Sequence, residues 1–262
     1  MNFVYTQSIL SPKLPDEMFQ DEANAMVRAG HHVFLVNGEK LSAGTTNVKP
    51  LLSEGETAIY RGWMLTTTEY DHLASSIVNA GGIPFTPLPQ YLATHHLPNW
   101  YQRIADLTPE TVVLPLQADW IAELKNLGWS RFFIKDFVKS LKTSVGSIIE
   151  RPEDIHIVAA EMEKYRGQIE GGLCIRRVED FLPETEQRYF VLNGTPFSSD
   201  PEAEVPSIVF ECAARIESKF FSVDVISRTD GVLRIVEVGD GQVSDLVGWS
   251  LERFMQIWET VH

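Results

Sequence analysis

The sequence predicts an α/β protein in two parts. Three observations point there: a strand–helix–strand opening, a second run of strands and helices from near Thr111, and a C-terminal pair of strands with acids set among apolar residues. With 262 residues, the chain is long enough for a large core and two domains.

The opening strand is Asn2 to Tyr5. Pro15 to Ala29 reads as a helix, with Pro15 in the first turn, Asp16 and Glu17 at its positive end, and Gly30 as the stop. His31 to Val36 is the next strand, followed after a polar loop by Ala58 to Tyr60. Thr68 to Ala80 forms a helix stopped by Gly81 and Gly82. The prolines of IPFTPLPQY disfavour an interior strand or helix, and Leu97 to Leu107 is mixed aromatic and polar.

The second part starts with the strand-like VVLPL and a helix from Ala118 to Leu127, which Gly128 ends. Arg131 to Phe137 is a strand, Lys139 to Ser147 a small, polar loop, and Pro152 to Tyr165 a helix. Strands follow at Gly172 to Val178 and Gln187 to Leu192, with Asn193-Gly194 as a turn. Ile208 to Ser218 favours helix. Phe220 to Asp245 reads as two strands around a turn, and Ser250 to Val261 as an amphipathic helix.

Composition bounds the function. The formal charge of −14 repels phosphate backbones, so broad nucleic-acid binding is not expected. It leaves room for a locally basic cleft around one nucleotide. Cys174 and Cys212, the two cysteines, imply no disulfide framework, and a reducing cytoplasm is the plain inference. The N-terminus lacks the basic region of a secretory signal, and no apolar run spans a bilayer.

The residues that can carry chemistry are few. Asp224 and Glu237 sit inside FSVDVI and RIVEVG, and Asp240 follows the second strand. Carboxylates among apolar residues are costly unless paired, and an oxygen-seeking cation would offset that cost. An ordinary hairpin with two half-exposed acids fits the same residues. Lys135 lies in the apolar strand FFIKDF, either as a point charge for a phosphate or as an edge lysine facing solvent. Ser140, Ser144, Gly146 and Ser147 make the 139–147 loop small enough for backbone N–H groups to approach phosphate oxygens, although the P-loop pattern is absent. Arg176, Arg177 and Arg188 suit phosphate or carboxylate recognition, or surface ion pairs. Arg61, beside Tyr60 and Trp63, suits an acidic substrate or a stack on an aromatic ring. The adjacent pairs His31-His32 and His95-His96 form no metal motif.

The order of these features resembles the ATP-grasp family of carboxylate ligases. The matching segments are FFIKDFVKS, RRVEDF, EQRYFVLNG, FSVDV and VEVGDGQ; upstream, YRGWML and DEMFQDEANAMVRAG look like the clade named for two arginines and a lysine. The resemblance implies a pre-ATP-grasp α/β domain over residues 1–110 and an ATP-grasp domain with antiparallel sheets over 111–262. It implies ATP and Mg²⁺ as cofactors, with Lys135 on the α- and β-phosphates and loop 139–147 folded over them. Backbone groups of Arg177 and Val178, in the hinge Arg177 to Glu179, would meet adenine. Arg188 would face the γ-phosphate or an acyl-phosphate, and Asp224 and Glu237 would hold Mg²⁺.

Two positions depart from the family. Gly239 stands where a third metal ligand, Asn, is usual; Asp240 is the nearest substitute, but a one-residue shift in a strand turns the side chain away. A lysine usual one strand earlier has no counterpart in VVLPLQADW, which leaves Arg61 or Arg176 to supply that charge.

The implied reaction joins a small-molecule or peptide carboxylate to an amine through an acyl-phosphate, releasing ADP and phosphate. Two alternatives stand beside it. One is a non-catalytic nucleotide- or partner-binding protein on a degenerate grasp, for which Gly239 speaks. The other is a lysine-adenylating nucleotidyl transferase, but Phe137 occupies the glycine position of K-x-D-G.

Overall fold

The computed structural model describes residues 1–138 and 146–260. Three four-stranded sheets organise the described residues. The first is parallel, in the order β2-β1-β3-β4, from β1 (Asn2–Thr6), β2 (His32–Val36), β3 (Thr57–Arg61) and β4 (Ile83–Pro84). α1 (Gln20–Arg28) and α2 (Thr67–Asn79) are two of its connecting helices. The helix expected from Pro15 starts later, because the Asp16 carboxylate accepts from the Met18 N–H and caps a 3-10 turn over Glu17–Phe19 first. α2 opens with a reciprocal capping box between Thr66 and Glu69.

The proline-rich segment corrects the expectation. Beyond the short β4, it enters α3 (Leu88–His95), where Pro89 occupies the first turn. A proline there loses no hydrogen bond, since the first N–H groups of a helix have no partner within it. Pro98 plays the same part in α4 (Leu97–Ile104), a helix the mixed composition concealed. Its buried Leu97, Trp100 and Ile104 sit at helical spacing.

The other two sheets are antiparallel. The small one, in the order β5-β8-β6-β7, comprises β5 (Thr111–Leu114), β6 (Phe132–Asp136), β7 (Ile148–Ile149) and β8 (Leu173–Arg177). β5 ends before Pro115, which has no N–H for the ladder. α5 (Trp120–Leu127) and α6 (Ile155–Arg166) lie in this region, where a cluster including Leu124, Ile134, Ile155, Met162 and Ile175 forms the core. Gly128 ends α5 at φ 66°, a left-handed position that glycine adopts without strain.

The long sheet, in the order β10-β9-β11-β12, comprises β9 (Phe181–Leu192), β10 (Thr195–Phe197), β11 (Phe220–Arg228) and β12 (Leu233–Asp240). β9 begins six residues before the expected Gln187, and Asn193-Gly194 turns it into β10 with positive φ at both residues. One face of this sheet packs through Tyr189, Val191, Phe221 and Val223 on α4 and α7 (Ser207–Arg215). On the other face, Phe190, Leu192 and Phe220 join Phe3, Tyr5 and Ile59 of the parallel sheet and Phe254 and Trp258 of α8 (Leu251–Glu259). α8 therefore lies in a core shared by the first and last parts of the chain. No described helix is long and apolar enough to cross a membrane.

Candidate functional site

Register brings the predicted charges together. Arg188 on β9 is paired with Asp224 on β11, and Asp224 with Glu237 on β12, so the three lie abreast across adjacent strands. Arg188 donates to both Asp224 oxygens, Nε to Oδ1 and NH2 to Oδ2, each at 2.7 Å. Its NH1 donates to the Asp245 carbonyl at 2.9 Å. From the small sheet, the buried Lys135 extends Nζ to within 3.3 Å of Glu237 Oε1.

Glu237 is the open member of this group. Its side chain keeps 44% of its exposure, whereas that of Lys135 keeps 5%. Desolvation raises its pKa, but the Lys135 and Arg188 charges outweigh that and hold Glu237 below the ordinary glutamate value. Asp224 is the reverse. Burial and the neighbouring Glu237 charge outweigh the Arg188 bonds, and its pKa is raised. An added cation at this point would relieve repulsion between the two carboxylates.

Asp240 does not join them. It is the last residue of β12 rather than a residue beyond it, and it pairs with Phe221 on the helix-covered face. Its Oδ1 accepts from the Gln242 backbone N–H at 3.0 Å and from Gln242 Nε2 at 3.2 Å. Burial raises its pKa to about 7. Gly239 faces the same side as Glu237, but a Cβ there would sit 3.2 Å from both the Ser222 and Ser244 hydroxyl oxygens. Those serines, 2.8 Å apart, crowd the place where a third ligand was expected. Among the described residues no group of three or more His, Cys, Asp or Glu side chains is arranged to hold a metal.

Arg61 is also elsewhere. Nε and NH2 bind the two Glu22 oxygens at 2.8 Å each, and NH1 donates to the carbonyls of Gly241 at 2.6 Å and Ser244 at 3.1 Å. The Phe254 ring lies 4.8 Å from its guanidinium carbon. Buried and engaged on all three nitrogens, Arg61 is a clamp within the fold and not a free cation for an acidic substrate.

Arg176 is buried without a carboxylate partner. NH1 donates to the Val236 carbonyl and NH2 to the Thr108 hydroxyl, both at 2.6 Å, while Nε has no partner among the described residues. Desolvation lowers its pKa to about 10, with the Glu237 charge opposing.

After β8 the chain runs through an irregular stretch at Val178 to Asp180, which borders a recess of about 440 Å³. The Arg177 N–H donates to the Glu110 carbonyl, so that donor is already used. The Val178 N–H and carbonyl have no partner among the described residues. Glu179 is held by Arg234 at 3.1 Å and Arg228 at 3.4 Å. These two arginines flank the β11–β12 turn; their symmetric placement in SRTDGVLR was the signal that would have found them. Ser140 and Ser144 lie outside the described residues. Gly146 and Ser147 lead into β7, and the Ser147 carbonyl accepts from the Ile134 N–H at 2.7 Å. β6 and β7, on either side of the undescribed residues 139–145, pair antiparallel.

The family profile for an ATP-grasp domain, family 3 of the clade named for two arginines and a lysine, matches residues 126–259, more than half of the chain. The chain belongs to the ATP-grasp family. The matched residues run from the end of α5 through β6 to β12 and α8, and so include Lys135 and the row Arg188–Asp224–Glu237. No curated protein matches the sequence. Solved structures similar to this ATP-grasp chain include the D-cycloserine synthetase DcsG, at 13% identity with 98% of each chain covered and a TM-score of 0.62. A D-alanine–D-alanine ligase from Coxiella burnetii is 10% identical over 93% of this chain and 87% of its own, with a TM-score of 0.61. The ATP-grasp ligase PsnB, solved with its precursor peptide PsnA2 and AMPPNP, is 10% identical over 94% and 90%, at 0.59. At such identities the likeness is one of fold.

Proposed function

We propose that the chain is an ATP-dependent carboxylate–amine ligase, with residues 111–262 holding the nucleotide and residues 1–110 contributing to the acceptor side. The observation that carries this reading is the row Arg188–Asp224–Glu237 with Lys135 reaching Glu237 from the opposing sheet. Phosphoryl transfer needs charge neutralisation and positioning more than a protein nucleophile, and this row offers both.

The residues fit ATP and Mg²⁺. Magnesium takes one or two carboxylates and completes its shell with water and phosphates, so Asp224 and the half-open Glu237 suffice without a third ligand. Bound there, Mg²⁺ with ATP would supply the phosphoryl group that activates a substrate carboxylate. Lys135, freed from Glu237, is placed to face a phosphate. Val178 offers an unused N–H and carbonyl to a purine edge. Arg188 keeps its side chain oriented through Asp224 and the Asp245 carbonyl while facing the developing negative charge. Arg176 supplies a buried positive charge near Glu237, in place of the family's lysine. The substrate carboxylate attacks the γ-phosphorus and ADP leaves; the amine then attacks the acyl carbon, phosphate leaves, and the amine loses a proton.

ADP release measured over a matrix of acids and amines tests this. Product formation only when both are present supports the reading, and AMP with pyrophosphate sinks it. The crowding at Gly239 favours one competitor, a nucleotide-holding protein without turnover. Tight Mg²⁺-dependent ATP binding with no product from any acid–amine pair would select it.

A further inference from the structure

The parallel sheet carries a crevice that the nucleotide does not explain. The chain runs from β1 to β2 on one side, then crosses to β3 on the other, so the connections diverge at β1. In open α/β sheets ligands bind beyond the carboxyl ends of the strands at such a point. Here that place holds two abutting hollows of about 460 Å³ each, which share Gln7, Pro12 and Asn37. Their combined size suits a small molecule. Close packing shapes the strand ends of the second hollow. Cβ atoms at Gly38 and Gly62 would come within 2.7 Å of Thr6 Cγ2 and 2.3 Å of Tyr60 Oη, so both positions exclude side chains.

Charge is divided between the hollows. The one beside β2 is lined by Lys13, Lys40 and Lys49 and by no acid. None of these lysines makes an ion pair with a described residue. The one reaching β3 is lined by Asp16, Glu39 and Glu69 and by no lysine, with Trp63, Met64 and Leu65 as an apolar wall. In a chain of net charge −14, three free lysines around one hollow are a local reversal of the field.

The two ends also differ in distance from the charged row. At the end of β3, Gly62 donates its N–H to the Gln242 carbonyl at 3.2 Å, and Arg61 binds the Gly241 and Ser244 carbonyls. The next residue, Asp245, gives its carbonyl to Arg188. The acidic hollow therefore lies at the strand tied to the loop after β12, and the basic hollow lies beyond β1 at the outer strand.

We propose that this crevice is the acceptor site and that it takes a zwitterion, an amino acid or short peptide with a free carboxylate. The inference rests on the ligase reading above. The ammonium lies at the acidic end, near the strand ends that meet the loop after β12, and the carboxylate lies among Lys13, Lys40 and Lys49. An apolar side chain packs against Trp63 and Met64.

Calorimetry without nucleotide tests it, using free amino acids and dipeptides, their C-terminal amides and their N-acetyl forms. At least one free form is expected to bind, and amidation or acetylation to weaken it tenfold or more. The triple variant Lys13→Ala/Lys40→Ala/Lys49→Ala, on exposed side chains, should weaken the free form at least tenfold and leave the amide unchanged. The proposal is overturned if no free form binds, if amides bind as well as acids, or if the triple variant binds normally. ATP with Mg²⁺ is titrated into the same proteins. Its failure to bind would refute the nucleotide reading, while the nucleotide-free titration still reports on the crevice alone.

Discussion

Arg61 grips Glu22 through two hydrogen bonds of 2.8 Å, and Arg188 grips Asp224 through two of 2.7 Å. The local chemistry is the same. The surroundings differ. The Arg61 pair is sealed, with side chains 2% and 7% exposed, and NH1 is spent on two carbonyls. The Arg188 pair is 16% and 7% exposed and stands beside Glu237, whose side chain is 44% exposed. A sealed fork is committed to holding the fold together. A fork beside a half-exposed carboxylate stays within reach of solvent and of any ion that approaches Glu237. Accessibility, not pairing, separates the two arginines.

The contrast can be broken most directly at its sealed end. Arg61→Ala leaves Glu22 buried without its partner, and the expected loss of stability is about 3–5 kcal/mol. Urea denaturation measures it, and a loss below about 1 kcal/mol would show that the pair is not the clamp described. At the open end, Glu237→Gln keeps an acceptor for Lys135 but removes the charge. ATP affinity should lose its Mg²⁺ dependence, with turnover falling about 100-fold or more, while the unfolding midpoint falls because buried Lys135 loses its charged partner. If calorimetry finds Mg²⁺ dependence intact, the metal is not held there.

Asp240 gives a pH-dependent effect with a definite sign. Its folded pKa is raised from 3.8 to about 7, so between those values the folded state holds a proton that the unfolded state has released. Stability should therefore fall as pH rises from about 4 to about 7 and level off above. Asp240→Asn should abolish the part of that fall due to this carboxyl. Thermal melts of both proteins at pH 5 and pH 8 decide it, and parallel pH profiles would remove Asp240 as the cause. Smallest of all is the exposed Arg103–Glu217 pair, 41% and 76% exposed, where Arg103→Ala should cost less than about 1 kcal/mol in the same urea experiment. A larger value would mean that exposure is a poor guide to what a pair contributes here.

The sequence reveals what depends on local pattern. β1, β2, β3, β6 and the acidic hairpin follow from apolar runs between turn residues, and α2 and α8 from periodicity. α3 and α4 are hidden by prolines, because composition does not reveal that Pro89 and Pro98 fall within first turns. Within the site, Lys135, Arg188, Asp224 and Glu237 are legible because an ionisable residue in an apolar strand demands a reason. The destinations of Arg61 and Asp240 are not. Arg61 finds Glu22 across 39 positions, and Asp240 is turned away by strand alternation and buried near Tyr70 and Tyr91. Such outcomes depend on which face another element covers, and no local window contains that element.

Gln242 follows β12 and is buried between the two parts of the chain. Its side-chain oxygen accepts from the Tyr60 N–H at 3.0 Å, and its amide nitrogen donates to the Tyr70 hydroxyl at 2.6 Å. With Arg61 and Gly62, it stitches the end of the acid-bearing strand to the end of β3. The crevice and the charged row are therefore joined through one hydrogen-bonded frame, which sets the span between them. In the ligase reading, that fixed span acts as a ruler: acceptors would be sorted by the reach from carboxylate to amine, and one methylene too few would leave the amine short of the acyl carbon.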